Sequence, residues 1–204
     1  MNKRLMCSLV IGALTAGMVV ASSAFAAIAQ GTTAPDFTAQ ASHAGKASTI
    51  SLAEALKTGP VIVYFFPSAY TGGCDIEAHA FATEAAKFAA AGATIIGVSA
   101  DSIQRLNKFS ADPNYCAGKF PIASDPDGKI AASFDLKMSA ADPSAKDVQG
   151  AVIDHGFISR TTFVIGRDGK IAAVFSSEAD HLHPQDHVSK SLAIVQQLQS
   201  GKAP

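Results

Sequence analysis

Cys74 is the residue of this 204-residue chain best placed to do chemistry. It closes the segment Pro67-Ser68-Ala69-Tyr70-Thr71-Gly72-Gly73-Cys74, which follows the apolar run Val61-Ile62-Val63-Tyr64-Phe65-Phe66. A strand ending there and a helix starting beyond Gly72-Gly73 would put the thiol in the first turn of that helix. Free backbone N–H groups and the positive end of the helix dipole favour an anion at this position, so the expectation is a thiol acidified below the free value of about 8.5. The thiolate is the reactive form. Two other clusters carry less. His181-Leu182-His183-Pro184-Gln185-Asp186-His187 has close histidines but no matching cysteine or acidic ligand, and is read as a surface feature before a helix. Asp125-Pro126-Asp127-Gly128 lacks the loop length and closing glutamate of a calcium site.

The elements that must position Cys74 follow from periodicity. Residues 61–66 are β-branched and aromatic and stopped by Pro67, as in a central strand buried on both faces. Ile76, Ala80, Phe81, Ala85 and Phe88 put an apolar face on a helix over about 75–90, ended by Gly92. Residues 93–98 predict a second buried strand and 103–109 a helix, an alternation that favours a parallel sheet. Phe120-Pro121-Ile122-Ala123 is a short apolar stretch, and 137–156 reads as a surface loop with Pro143, Gly150 and Gly156. Residues 161–165 and 170–175 predict a hairpin around Asp168-Gly169, and 187–199 a last helix with Val188, Leu192, Val195 and Leu198 on one face. This order is that of an α/β thioredoxin fold, a central mixed sheet flanked by helices, with an N-terminal extension.

The N-terminus has Lys3 and Arg4, an uncharged apolar stretch from Leu5 to Ala21, and the small-residue run Ser22-Ser23-Ala24-Phe25-Ala26. Residues 1–26 are therefore expected to be a secretory signal peptide, cleaved after Ala26, with Cys7 leaving with it. The mature chain, 27–204, has the size of one domain. It would carry 14 basic against 17 acidic residues and no basic run, which speaks against nucleic acid and for a small neutral substrate. An exported, periplasmic location is expected, without stable membrane association after cleavage. Cys74 and Cys116 remain, and an even count in an oxidising compartment invites a disulfide, structural or catalytic.

Pro67, Thr71 and Cys74 match Pro-x-x-x-Thr-x-x-Cys, and the chain thereby resembles the peroxiredoxins of the AhpC/TSA superfamily. Ala34-Pro35-Asp36-Phe37-Thr38 resembles the family's entry segment, and Ser99-Ala100-Asp101-Ser102, Phe120–Asp125 and Ser159–Ile165 match later landmarks in the family's order. The stretch from Phe175 through His187 is similar to the tail of the Q-type, or bacterioferritin-comigratory, branch. The resemblance implies a thiol peroxidase acting on hydrogen peroxide or organic hydroperoxides. Cys74 would attack the O–O bond and become a sulfenic acid. Thr71 would hydrogen-bond the peroxide, Pro67 would shield the thiolate, Arg160 would stabilise it and the developing charge, and Glu77 would orient that arginine. The chemistry itself needs a soft anionic nucleophile, a donor and a cation, and Cys74, Thr71 and Arg160 supply one each. No cofactor or metal is implied.

Q-type relatives often place a resolving cysteine five residues after the first, where this chain has His79. Others carry it about forty residues on, and Cys116 stands 42 residues after Cys74, so the resemblance assigns it that role through an intramolecular disulfide. The reductant, a thiol protein or small thiol, is not specified by the sequence, and the state expected is monomer or weak dimer. Two alternatives stay open: an exported thiol–disulfide oxidoreductase, against which Thr71 stands where a second cysteine would be needed, and a non-enzymatic binding module with a structural Cys74–Cys116 disulfide.

Overall fold

The structure, a computed structural model, describes residues 27–201; the expected signal peptide lies outside the described residues. At the centre, β3 (Val61–Phe65) is buried along its whole length, and β4 (Thr94–Ser99) runs parallel to it in the register Val61↔Thr94 through Phe65↔Val98. α2 (Gly72–Ala90) makes the crossover between them. α3 (Ile103–Ala111) leads from β4 to the parallel β5 (Ile122–Ser124). On the other flank β6 (Thr161–Ile165) lies antiparallel to β3 and forms the expected hairpin with β7 (Ile171–Ser176). The extension is itself a hairpin, β1 (Thr38–His43) with β2 (Lys46–Ser51), and β1 docks antiparallel on β5. The sheet order is β2-β1-β5-β4-β3-β6-β7.

Alternation along β3 divides the core. Ile62, Tyr64 and Phe66 point to one face, packing with Phe81 and Phe88 of α2, Leu106 and Phe109 of α3, and Val188 and Val195 of α5 (Pro184–Gln199). Val61, Val63 and Phe65 point to the other, beneath α1 (Leu52–Leu56) and α4 (Lys129–Ser133) and against Phe134 and Phe163. Gly97 leaves room for the Tyr64 ring, whose Cζ would stand 2.8 Å from a Cβ there. Two helix starts differ from the sequence reading, and two short helices are additional to it. α2 starts at Gly72, because Cys74 and Asp75 both donate backbone bonds to the Thr71 carbonyl, at 2.8 and 2.9 Å. α5 starts at Pro184, whose fixed φ suits a first helical position, and His183 caps it in a reciprocal pair with Asp186. α1 and α4 span five residues each, too short to show a helical period.

Candidate active site

The strand β3 delivers the chain to Phe66, and the segment 67–71 turns it into α2. The turn is tight enough to put Tyr70 at φ 58°, in the left-handed region that a bulky residue rarely occupies. Thr71 takes the N-cap position, yet its hydroxyl caps nothing: Oγ1 donates back to the Ser68 carbonyl at 2.7 Å. Cys74 is the third residue of the helix and only 2% exposed.

Arg160, immediately before β6, reaches across to this turn. Nη2 donates to Cys74 Sγ at 3.1 Å, while Nη1 donates to Glu77 Oε2. Glu77 lies one turn beyond Cys74 on the same helix face and is fully buried. The guanidinium therefore links a sulfur and a carboxylate through its two ends, a geometry suited to its rigid fork. Gly73 makes the approach possible, since a Cβ there would come within 3.2 Å of Nη2. Position 73 reads in sequence as turn chemistry; its clearance for Arg160 depends on a contact 87 residues away.

The electrostatics correct one expectation. Burial is the largest influence on the Cys74 thiol and pushes it up; Arg160, the Ser68 N–H and the Thr71 hydroxyl pull it down without overcoming burial, so the net direction is up. Helix position alone suggested the reverse, because it takes no account of how completely the sulfur is removed from water. Burial likewise pushes Glu77 up to about 7, against the pull of Arg160.

His187 was read as part of a surface cluster, and this is also corrected: α5 turns it inward, where it is fully buried. Its Nδ1 hydrogen-bonds Thr162 Oγ1 at 2.9 Å and its Nε2 hydrogen-bonds Ser177 Oγ at 2.9 Å. Nδ1 is 3.9 Å from Glu77 Oε1, an oxygen with no hydrogen-bond partner among the described residues. Burial, with Arg160 adding to it, brings the ring down to about 4, so it is neutral near pH 7. His181 and His183 stay exposed, and no group of three or more metal-ligating side chains forms among the described residues.

Cys116 follows α3 in the loop after Asp112-Pro113-Asn114 and is fully buried. It shares the apolar core with Cys74, and both cysteines are free thiols. His79, where a nearby partner cysteine was considered, instead donates through Nδ1 to the Asn114 carbonyl at 3.0 Å. The residue after Cys116, Ala117, has φ 50°.

The AhpC/TSA family pattern matches residues 30–174, more than half of the chain. The chain belongs to the AhpC/TSA family. It is 34% identical over 146 residues to a Mycobacterium tuberculosis protein named as a peroxiredoxin, covering 72% of this chain and 84% of that one. With chloroplastic peroxiredoxin Q of Sedum lineare it shares 29% identity over 177 residues, 87% of this chain and 83% of the relative. Among solved structures, the peroxidoxin BcpB of M. tuberculosis superposes with a TM-score of 0.67 at 30% identity, over 83% of this chain and 97% of that one. The bacterioferritin comigratory protein of Xanthomonas campestris, described for alkyl peroxide reduction, gives 0.60 at 26% identity, over 78% and 91%. The family member described here is a thiol-dependent peroxidase with a thioredoxin-type fold, using a peroxide as oxidant and a thiol as reductant.

Proposed function

We propose that Cys74 is the peroxide-reducing cysteine and that Cys116 resolves it. The observation that carries the first assignment is Arg160 bridging Cys74 Sγ and Glu77. In the first step the Cys74 thiolate attacks one peroxide oxygen; the S–O bond forms, the O–O bond breaks, and the leaving hydroxide or alkoxide takes a proton to become water or alcohol. Arg160 and the Thr71 hydroxyl stabilise charge on sulfur and oxygen, Glu77 fixes the guanidinium plane, and Pro67 covers the sulfur. A site this enclosed admits hydrogen peroxide or a small hydroperoxide more readily than a protein disulfide, which supports a peroxidase over a thiol–disulfide oxidoreductase.

In the second step the Cys116 thiolate attacks the sulfenic sulfur; S–S forms, S–O breaks, and the hydroxide released takes a proton to become water. Both sulfurs are buried, so the first turn of α2 and the 112–118 loop must open together. The left-handed Ala117 and the proline beside Asn114 mark that loop as a segment whose closed form is held at some cost. The cycle closes when an external thiol protein or small thiol reduces the disulfide. Residues 1–26 act as a signal peptide, leaving one domain, 27–204, in the periplasm as a monomer or weak dimer; the Lys3-Arg4 start and the apolar stretch after it support this. No helix among the described residues is long and apolar enough to cross a membrane.

Peroxide consumption by the wild type, Cys74→Ser and Cys116→Ser tests both assignments. Loss of consumption in Cys74→Ser is expected, and equal rates would overturn the first assignment. Cys116→Ser should oxidise once and stop at the sulfenic acid. Oxidised wild type in which peptide mass spectrometry finds no Cys74–Cys116 disulfide would overturn the second.

A further inference from the structure

Behind the catalytic turn lies a buried polar cluster that the peroxidase chemistry does not use directly. Asp101, just past β4, is fully buried. Its Oδ2 accepts from the Ala69 N–H at 2.7 Å and from Ser99 Oγ at 2.9 Å, and its Oδ1 accepts from Ser68 Oγ at 3.0 Å. Two cations face it. Arg105 Nε of α3 is 2.8 Å from Oδ1, and His155 Nε2, from the 137–156 loop, is 3.0 Å from the same oxygen. The second ring nitrogen of His155 stands 2.9 Å from the Gly156 carbonyl. A carboxylate and a carbonyl only accept, so both nitrogens must carry protons and the ring is an imidazolium. Burial works against that charge, but Asp101 and the Gly156 carbonyl outweigh it and the histidine is raised.

Arg105 extends the clasp. Nη2 donates to the Ala69 carbonyl and to Asp147 Oδ2, both at 2.8 Å, and the guanidinium lies 5.2 Å from the Tyr70 ring centroid. The Val148 N–H, one residue past Asp147, donates to the Tyr70 carbonyl at 2.9 Å. The cluster thus holds Ser68, Ala69 and the left-handed Tyr70 from behind. On the other side of the same turn stand the Ser68 N–H and the Thr71 hydroxyl, two of the groups that favour the Cys74 thiolate.

We infer that Asp101, braced by Arg105 and His155, is a positioning residue for Cys74: it fixes the 68–71 turn so that the Ser68 N–H faces the sulfur and the Thr71 hydroxyl, whose proton rests on the Ser68 carbonyl, is close enough to turn to it. This rests on the assignment of Cys74 as the reacting cysteine. Asp101 acts through the backbone and touches neither sulfur nor peroxide. The other charged or titratable groups that face Cys74 are Arg160, Glu77 and Tyr64, and none of them is bonded to Asp101.

The test is the rate of Cys74 oxidation by hydrogen peroxide across pH for the full chain, beside urea unfolding of the same samples. Asp101→Asn keeps the shape but removes the charge that both cations face. The pH at half-maximal rate should rise and the rate below that pH should fall about tenfold, the loss of one well-placed donor to a charged acceptor. Should Asp101→Asn fail to fold, His155→Ala and His155→Gln give the same decision: the alanine variant should shift the profile upward, and glutamine, whose side-chain N–H reaches toward the same oxygen, should restore part of it. Variants that lose stability while their pH–rate profiles match the wild type show a merely structural cluster and overturn the inference. A wild-type protein whose Cys74 is not oxidised overturns the assignment of Cys74 itself, and this inference falls with it.

Discussion

Arg160→Gln isolates the contact on which the proposed chemistry depends. The wild-type guanidinium donates to Cys74 Sγ at 3.1 Å from a site it shares with the buried Glu77. A hydrogen bond to a charged partner contributes about 1.5–3 kcal/mol, and one unit of pKa corresponds to about 1.4 kcal/mol, so its loss should raise the thiol by about 1–2 units. The sign follows directly: only the thiolate attacks, its fraction rises with pH, and a higher thiol pKa moves the whole rate profile to higher pH. Below both midpoints the variant should be about 10–100-fold slower through the thiolate fraction alone. Well above both midpoints a difference of about tenfold should persist, because the cation that receives charge on oxygen is missing as well. Glu77, already pushed up to about 7, moves higher once Arg160 is gone and takes a proton, so it adds little repulsion of its own. The Glu77→Gln/Arg160→Gln double variant checks that point. With no tryptophan to report on the site, quenched-flow alkylation read by peptide mass spectrometry is the suitable assay. A midpoint displaced by less than ~0.3 unit, with rates within twofold of the wild type at every pH, would refute the argument.

Two further outcomes concern stability. Glu77 has its folded pKa raised from 4.5 to about 7, so the native state holds the extra proton in that window and its contribution declines as pH rises through it. His187 is lowered from 6.5 to about 4, so the unfolded state holds the extra proton and stability is lost as pH falls through that window. The two trends oppose each other where they overlap; Glu77→Gln should unmask the His187 trend as unfolding midpoints that climb steadily from pH 4.5 to 6.5, and a flat series in urea would contradict it. Gly97→Ala should cost about 1–3 kcal/mol in urea unfolding, because its Cβ would meet Tyr64 Cζ at 2.8 Å in a ring stack that includes Phe81, 4.5 Å away. A neutral substitution there would mean that the stack yields more easily than its packing indicates.

What could be read without coordinates is what local pattern encodes. The run from Val61 to Phe66 declared a strand buried on both faces, and β3 is the central strand with its side chains divided between two cores. Pro67, Thr71 and Cys74 are close in sequence, and their motif placed them in one turn. Arg160 came from resemblance alone; its arrival at Cys74 depends on β6 pairing with β3 in the register Phe65↔Thr161, a contact no periodicity reveals. Asp101 sat in a recognised landmark, Ser99–Ser102, but its partners Ser68, Arg105 and His155 are scattered over 87 residues. His187 misled for a different reason: a histidine among polar neighbours looks exposed until the helix begins early enough, at Pro184, to rotate it inward.

The reversed direction of the Cys74 shift has a consequence for how the site works. Removing a sulfur from water raises the cost of its anion, but the same removal strengthens every donor aimed at it, because no solvent competes for the charge. The Arg160 guanidinium, the Ser68 N–H and the Thr71 hydroxyl therefore act against a large opposing influence rather than adding to a favourable one. In an exposed thiol, losing one such donor would be softened by water taking its place. In this pocket the remaining donors are left with the undiminished burial, so each single loss should register almost in full in the pH–rate profile. With Cys74 as the reacting cysteine, that sensitivity would let a cluster behind the turn, which never meets the peroxide, act on the reaction through small changes in where Ser68 and Thr71 stand.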